Sequence, residues 1–264
     1  MPLTYHVDGT LVPASEATVD VRDRGFMYGD AAFETLRVYG GEPFAWAAHV
    51  DRLERTLTTL GFAEAMPPRG DLHERVVETV AANDFADCWA KLSITRGVQP
   101  GKLTPAGRVD PTILVTVGEL PRGGLDGEPV WDRPATVQMA TRPKPATDAL
   151  PADAKTHNYL SGILARLEVR ETGADEALLL DGDGYLTEGA TSNLFFVDDG
   201  RLHTPSTAHP LLPGVTRAVV LDLAREEDFP VETGSYRPAD LRGADEVFLT
   251  NSSWEVRPVS RIDE

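Results

Sequence analysis

The sequence predicts an α+β fold built from two domains. Strand-like segments and amphipathic helical segments occur in both halves of the 264 residues, without an internal repeat. Residues 118–134 are rich in glycine and proline, a composition typical of an interdomain linker. We therefore expect a small N-terminal domain at 1–117 and a larger C-terminal domain at 135–264. Both are near the usual domain size of about 100–150 residues.

The first domain is expected to contain two hairpins, two amphipathic helices and two further strands. Glycine-containing pairs at 8–9 and 40–41 are the turn signals of the hairpins. The first helix has an apolar stripe with period 3.6, formed by Val50, Leu53, Leu57 and Leu60, and Gly61 ends it. The predicted elements lie, in order, at 3–7, 11–12, 32–39, around 44, 47–60, 72–80, 91–96 and 112–117.

The second domain is expected to combine a strand, two helices, a β-meander and a closing strand. In the helix at 158–171 we expect four apolar side chains to face inward, namely Leu160, Ile163, Leu164 and Leu167. Turn signals at 183–184 and 199–200 separate the meander strands, and a Pro-Gly break at 213–214 begins the second helix. The other predicted elements lie at 136–141, 176–180, 185–187, 193–197, 201–204, 215–227 and 246–250.

Composition excludes several classes of protein. The net charge of −17 argues against nucleic-acid binding, which needs clustered basic residues. The single cysteine, Cys88, excludes internal disulfides and a cysteine-based metal cage, and we expect no metal site. The sequence shows no 18-residue apolar run and no secretory leader pattern, so we expect a cytoplasmic protein without membrane contact. The acid excess is typical of adaptation to high salt; an ordinary acidic cytosolic protein is the alternative.

Lysine is scarce in this chain. Only Lys91, Lys102, Lys144 and Lys155 occur, against 21 arginines. Lys155 lies in a Lys-Thr-His-Asn segment directly ahead of an apolar helix. An isolated lysine is usually a solvated surface group. A chain that otherwise uses arginine retains lysine where arginine cannot do the chemistry, such as forming an imine with an aldehyde cofactor.

A carboxylate follows 33 residues after that lysine. Glu188 enters the segment Glu-Gly-Ala-Thr-Ser-Asn at 188–193, at the end of a short predicted strand. A carboxylate beside a pyridine nitrogen keeps the nitrogen protonated, so that the ring can accept electrons. Taken alone, Glu188 would more often be a surface residue at a strand end.

Three other segments could bind a phosphate group. Val215 and Thr216 begin a predicted helix after a glycine, where free backbone N–H groups attract anions. Arg52 lies off the apolar stripe of the first helix, and its guanidinium fork matches a phosphate dianion. Ser252 follows the last predicted strand. Each segment alone is equally or better explained as a helix cap, an exposed arginine or a strand end.

Together, these segments resemble the class IV, fold-type IV pyridoxal-phosphate enzymes over nearly the whole chain. The resemblance is carried by residues 21–30, 33–37, 49–53, 155–159, 188–193, 213–217 and 254–258. It implies a small N-terminal α/β domain, a larger α+β domain with a β-barrel-like core, a cofactor between them and a homodimer. It implies that Lys155 is the catalytic Schiff-base lysine. The cofactor residues it implies are Arg52, Lys155, Glu188, Ser192, Asn193, Val215, Thr216 and Ser252, and the substrate residues are Tyr28, Phe33, Thr35, Lys91, Tyr159 and Ser253.

The resemblance leaves the reaction open between two members of the family. Transamination between an amino acid or primary amine and a 2-oxo acid is the preferred interpretation. The alternative is 4-amino-4-deoxychorismate lyase, which makes p-aminobenzoate and pyruvate, and Thr35, Lys91 and the short chain favour it. The Arg and His that trap a carboxylate in D-amino-acid enzymes are missing from the loop after residue 96. A non-enzymatic binding protein with the same fold would take up no cofactor.

Overall fold

The computed structural model describes residues 2–120 and 131–263, and these residues form two compact units. The first unit contains the residues up to 120 together with Ala154–Asn158, and the second contains Trp131–Asp153 and the residues from Tyr159 onward. Most of the predicted linker at 118–134 lies outside the described residues, so the domain boundaries at 117 and 135 stay predictions. The Lys155 segment belongs to the first unit by its contacts, although it lies in the second half of the chain.

The first unit is built on a six-stranded antiparallel sheet with the order β2-β1-β6-β5-β3-β4. Its strands are β1 (Thr4–Val7), β2 (Thr10–Pro13), β3 (Ala31–Tyr39), β4 (Glu42–Pro43), β5 (Cys88–Thr95) and β6 (Ile113–Glu119). Its helices are α1 (Arg24–Tyr28), α2 (Trp46–Thr59) and α3 (Arg69–Ala81), with a 3₁₀ turn at Ala63–Ala65. The predicted hairpins and both amphipathic helices are therefore confirmed, with shifts of a few residues at their ends.

Helices α2 and α3 cover one face of this sheet. Val50, Leu53 and Leu57 of the predicted stripe are at most 1% exposed, and Leu53 and Leu57 belong to the core of the unit. The middle of strand β3 alternates in burial: Glu34 and Leu36 are buried, whereas Phe33 and Thr35 are partly exposed. The alternation places Phe33 and Thr35 on the sheet face opposite to the residues that pack into the helical core.

The Lys155 segment is fixed to β3 and α2 by backbone hydrogen bonds. The N–H of Phe33 donates to the carbonyl of Lys155 at 3.0 Å, and the N–H of His157 donates to the carbonyl of Ala31 at 3.0 Å. The N–H of Lys155 donates to Oγ1 of Thr56 on α2 at 3.0 Å. Because its backbone is held on both sides, Lys155 has a fixed position beside the Phe33 face of the sheet.

The second unit is built on a mixed eight-stranded sheet with the order β12-β11-β10-β13-β14-β7-β8-β9. Its strands are β7 (Ala135–Met139), β8 (Glu176–Leu180), β9 (Leu186–Gly189), β10 (Asn193–Asp198), β11 (Arg201–Pro205), β12 (Val231–Gly234), β13 (Glu246–Asn251) and β14 (Glu255–Ile262). Its helices are α4 (Leu160–Val169), α5 (Val215–Glu226) and α6 (Pro238–Gly243), with a 3₁₀ turn at Arg170–Thr172. Strand β9 at one end of the order packs against β10 and β11 near the other, so the sheet curls into the expected barrel-like core.

The predicted inward face of α4 is wrong for three of its four residues, and the fourth, Leu164, is partly buried. Leu160, Ile163 and Leu167 are 65%, 53% and 48% exposed. Helix α4 instead packs on β8 through Ala165 and Val169, which are fully buried. Periodicity identified the apolar stripe correctly. However, a helix that has small residues on the neighbouring face can pack that face against a sheet, which leaves the apolar stripe exposed.

Three elements of the second unit, β12, α6 and β14, are absent from the sequence prediction. Four of the eight residues of strand β14 are polar, and Arg257 is the one buried residue of the strand. It forms a strand because β13 and β7 pair with it on both sides, which is a tertiary effect. Within the described residues, no helix combines the length and the apolar character needed to cross a membrane.

Candidate active site

Two lysines share one aromatic ring on the sheet face of the first unit that lies opposite the helical core. The Nζ atoms of Lys155 and Lys91 each lie 4.4 Å from the ring centroid of Phe33, a distance typical of cation–π contact. Strand pairing explains the arrangement, because Lys91 is opposite Thr35, and Ser93 opposite Phe33, in the β3–β5 register. Burial, with a further contribution from the charge of Lys155, lowers the pKa of Lys91 below its usual value. The predicted residues Lys155, Phe33, Thr35 and Lys91 thus come together.

A neutral histidine borders this cluster. The ring of His157 lies edge-on to Phe33, with centroids 5.4 Å apart, and its Nε2 is 3.3 Å from Oγ of Ser93. Burial and the charge of Lys91 lower the pKa of His157 to about 4, so the imidazole is uncharged at neutral pH. His157 therefore adds a polar wall beside the two lysines without adding a third positive charge.

Arg52 is buried in an ion pair, which differs from its expected position off the core stripe. It is 3% exposed, and its Nε and Nη2 donate to Glu34 Oε1 and Oε2 at 2.8 and 2.5 Å. His49 Nδ1 lies 2.7 Å from the same Oε2. Burial opposes ionisation of Glu34, but Arg52 and then His49 outweigh it and lower its pKa to about 2. Burial also lowers the pKa of His49. A role for Arg52 toward phosphate stays a prediction.

In the second unit, Glu188 accepts hydrogen bonds from three separate segments. It is 8% exposed, and its Oε2 accepts from the N–H of Leu212 at 3.0 Å and from Nδ2 of Asn193 at 3.3 Å. Its Oε1 forms an ion pair with Nζ of Lys144, whose side chain is 14% exposed. A buried carboxylate held in this way has a fixed orientation.

Asn193 connects Glu188 to the start of helix α5. Its Nδ2 also donates to the carbonyl of Leu212 at 2.9 Å. Gly214 precedes the helix, and a Cβ at this position would lie 2.0 Å from Oδ1 of Asn193, so a larger residue would displace the Asn193 side chain. In the part of the chain that the structure describes, no side chain caps α5 at its N-cap, Gly214, so the N–H groups of its first turn, including those of Val215 and Thr216, can donate to another acceptor.

The two predicted serines near β13 lie in the hairpin turn between β13 and β14. Ser252 and Ser253 are partly exposed, and Oδ1 of Asn251 accepts from the N–H of Ser253 at 2.9 Å. Thr250, at the end of β13, is opposite Asn193 in the β10–β13 register. The turn therefore lies at the end of the sheet where Asn193 begins β10, and the predicted phosphate role of Ser252 stays a prediction.

Ser192 has a structural contact of its own. Its Oγ donates to Oε2 of Glu176 at 3.2 Å, and the N–H and hydroxyl of Thr191 donate to the same oxygen at 3.0 and 2.5 Å. Glu176 is fully buried and has Arg166 at 3.4 Å. Ser192 thus helps to satisfy a buried carboxylate, and its predicted contact with a cofactor stays a prediction.

The two predicted tyrosines are in different units. Tyr28 ends α1, with the guanidinium of Arg24 5.1 Å from its ring centroid. Tyr159 precedes α4 and lines a cavity of about 490 Å³ with Gly162, Ile163, Leu167, Ala190 and Thr191. Their roles toward a substrate stay predictions.

Sequence reasoning missed four residues that surround the predicted ones. Glu34, His49 and His157 lie within sequence segments that were selected because of adjacent residues. The alternation of residues along β3 could have indicated that Glu34 is a charged residue on the core face. Lys144 carried one signal, its membership of the small set of lysines, but nothing in its local sequence indicates Glu188 as its partner. Among the described residues, no cluster of His, Cys, Asp and Glu could hold a metal ion.

The sequence profile of the family named amino-transferase class IV matches residues 31–262. The chain belongs to this family. It is 36% identical over 262 residues to a putative branched-chain-amino-acid aminotransferase of Methanocaldococcus jannaschii, covering 99% of this chain and 88% of the relative. It is 32% identical to a D-alanine aminotransferase of Listeria monocytogenes, covering 97% and 86% of the two chains. An aminodeoxychorismate lyase of Bacillus subtilis is 30% identical, with 98% and 86% covered.

Solved structures agree with this assignment. A branched-chain aminotransferase of the thermophilic archaeon Thermoproteus uzoniensis, solved with norvaline, superposes with a TM-score of 0.88 at 28% identity, covering 100% of this chain and 88% of the other. A second branched-chain amino acid aminotransferase, solved with pyridoxamine 5′-phosphate, also has a TM-score of 0.88, at 29% identity. The fold is therefore fold-type IV, as the sequence predicts. This class IV aminotransferase is a transaminase, and the family works with pyridoxal 5′-phosphate.

The residues present fit this cofactor. An aldehyde needs an amine, and Lys155 presents one from a backbone held by β3 and α2. A pyridinium needs an oriented carboxylate, and three segments orient Glu188. A phosphate needs N–H donors, and the start of α5 has no side-chain cap, with a glycine that lets the backbone approach closely.

Proposed function

We propose that this aminotransferase moves an amino group between a carboxylate-bearing amino acid and a 2-oxo acid, with Lys155 as its catalytic residue. Glu188 would pair with the ring nitrogen of the cofactor, and Val215, Thr216, Ser252 and Arg52 would hold its phosphate. The observation that carries this proposal is the fixed amine of Lys155 on the Phe33 ring, beside a second ammonium, that of Lys91.

Each residue has a defined task in the reaction. Pyridoxal 5′-phosphate supplies an aldehyde for the amino group and an electron-accepting ring. Lys155 would hold the cofactor through its amine and, when free, would carry a proton to and from the substrate Cα. Glu188 would favour a protonated ring nitrogen, which would make loss of the Cα proton easier. The neutral His157 and the Phe33 ring limit the space around Lys155.

The surroundings of Lys91 support the proposal that the substrate carries a carboxylate. Within residues 2–120 and 131–263, no carboxylate lies at ion-pair distance from Lys91, whose ammonium instead faces the Phe33 ring. A partly desolvated cation without a carboxylate partner attracts an anionic group. A substrate carboxylate bound to Lys91 would bring the substrate Cα toward Lys155, because both lysines contact the Phe33 ring.

The aminodeoxychorismate lyase reaction is the second candidate, because Lys91 stands in the strand where branched-chain enzymes usually have arginine. A single series of assays distinguishes the two candidate reactions. We expect 2-oxoglutarate-dependent deamination of at least one of L-branched-chain amino acids, D-amino acids or aryl amines. Release of pyruvate and p-aminobenzoate from aminodeoxychorismate, without deamination of any of these donors, would replace transamination by the lyase assignment.

The same assays, run at low and at molar KCl, test whether the protein is adapted to high salt. We propose a salt-rich cytoplasm, supported by 42 acidic against 25 basic residues. Salt screens the repulsion between the excess carboxylates, so activity and thermal stability are expected to rise with KCl. Equal stability at both salt concentrations would support the ordinary acidic protein instead.

The exposed face of α4 supports a homodimer. Leu160, Ile163 and Leu167 form a contiguous apolar stripe beside the cavity of about 490 Å³, and such stripes are typical of interfaces between proteins. We expect a dimer in size-exclusion chromatography with light scattering, and expect Ile163→Asp to shift it to monomer. Leu223→Asp, at a position 54% exposed on α5, is the matched control and should stay dimeric. A dimer that withstands Ile163→Asp would place the interface elsewhere.

A further inference from the structure

The ion pair between Lys144 and Glu188 gives Lys144 a place in the active site. Lys144 lies in the segment after β7, eleven residues before Lys155. Its N–H donates to the carbonyl of Leu180 at 2.8 Å, at the end of β8. Strand β8 pairs with β9, the strand that carries Glu188. The backbone tether therefore positions the Lys144 side chain beside the strand of its carboxylate partner.

The carboxylate of Glu188 has capacity for one more donor. Two oxygens offer about four lone-pair directions. The N–H of Leu212 and the amide of Asn193 use Oε2, and the ammonium of Lys144 uses Oε1. A pyridinium N–H can then bind at Oε1 beside Lys144, without displacing any of the three donors.

The burial of the pair decides what Lys144 contributes. The side chains of Lys144 and Glu188 are 14% and 10% exposed, so solvent compensates little of either charge. A carboxylate at such a site protonates or turns away when its cation is removed. We propose that Lys144 is a positioning residue that keeps Glu188 ionised and oriented toward the ring nitrogen of the cofactor. This inference rests on the proposed role of Glu188.

The test is cofactor binding by the purified protein after resolution and reconstitution with pyridoxal 5′-phosphate. We expect Lys144→Met to raise the Kd for the cofactor at least about tenfold, as loss of a residue that orients a ligand-binding group does. The NMR shift of a cofactor isotopically labelled at the ring nitrogen should move from the protonated toward the neutral value. Lys144→Arg, which retains the charge, should restore both. Arg142→Met, two residues away and exposed, is the control and should match the unmodified protein.

A purely structural ion pair would give a different pattern. It would lower the midpoint of thermal unfolding in Lys144→Met but leave the ring-nitrogen shift unchanged, and that result would overturn the inference. If Lys144 acts through Glu188, Lys144→Met/Glu188→Gln should bind the cofactor as Glu188→Gln alone does. Additive losses in the double variant would also overturn it.

The double variant removes both charges and so covers the case in which Lys144→Met does not fold. The proposed function fails separately: the unmodified protein would then take up no cofactor, whereas failure of the inference alone leaves the unmodified protein and Lys144→Met equally able to bind it.

Discussion

Replacing Lys155 by alanine is expected to abolish amino transfer, with a loss of roughly 10⁴-fold or more in kcat, because proton transfer and covalent attachment depend on the same amine. Lys155→Arg should be equally inactive, since a guanidinium stays protonated and cannot take up a proton. Steady-state assays with the amino donors named above measure the loss of kcat in both variants. Borohydride treatment of the unmodified protein should fix the cofactor to Lys155, as peptide mass spectrometry would show.

Two controls make the Lys155 result specific. Lys102→Ala removes an exposed lysine of the first unit and should leave activity unchanged. Small amines added to Lys155→Ala should restore part of the activity, because the surrounding residues still position the substrate. An active Lys155→Ala protein, or borohydride fixation at another lysine, would contradict the assignment.

Replacing Glu34 by alanine is expected to destabilise the protein strongly. The change leaves Arg52 and His49 buried beside one another without their shared carboxylate. Removing one partner of a buried ion pair typically costs about 3–5 kcal/mol. Glu34→Gln keeps the shape and part of the hydrogen bonding, so its loss should be smaller, about 1–3 kcal/mol. Denaturant unfolding monitored by circular dichroism gives the free energies of unfolding.

Glu54→Gln is the matched control for Glu34. Glu54 also pairs with an arginine, Arg69, but the two side chains are 49% and 47% exposed. An exposed pair contributes about 0–1 kcal/mol, so this variant should unfold like the unmodified protein. Equal effects of Glu34→Gln and Glu54→Gln would show that the buried cluster has no special importance for stability.

The pH dependence of unfolding gives a second measurement on the same cluster. The pKa of Glu34 is lowered to about 2 in the folded protein from a usual value of 4.5. The stability that this difference contributes is fully present above pH 4.5 and is lost as the pH falls toward 2. Charging of His49, whose pKa is lowered by burial, acts in the same direction below its usual pKa. Glu34→Gln should therefore unfold with a weaker dependence on pH between 4.5 and 2.

Local patterns were sufficient for most of the architecture. The stripe of Val50, Leu53 and Leu57 identified α2, and glycine turns identified the hairpins and the meander. These predictions succeeded because hydrophobic periodicity and turn chemistry act over a few residues. Strand β14 was missed for the same reason, since its half-polar, proline-containing segment becomes a strand only between β13 and β7.

Local patterns could not provide the partners of the charged residues. Arg52 looks like an exposed helix arginine until β3 brings Glu34 beside it, 18 positions earlier in the chain. Helix α4 shows a core-like stripe, but its seating on β8 leaves the stripe outside. Burial and charge pairing depend on which distant segments meet, and periodicity carries no information about that.

By itself, the sequence determined the α+β class and the family, and it predicted the chemistry of Lys155, because the residue types and spacings that a covalent cofactor requires are few and specific. Tertiary structure alone decided what surrounds that chemistry. It placed Lys155 and Lys91 on one Phe33 ring, buried Arg52 on Glu34, and set Lys144 on Glu188. The physical reason is that the energy of a buried charge depends on its neighbours in space, and these neighbours come from segments far apart in the chain.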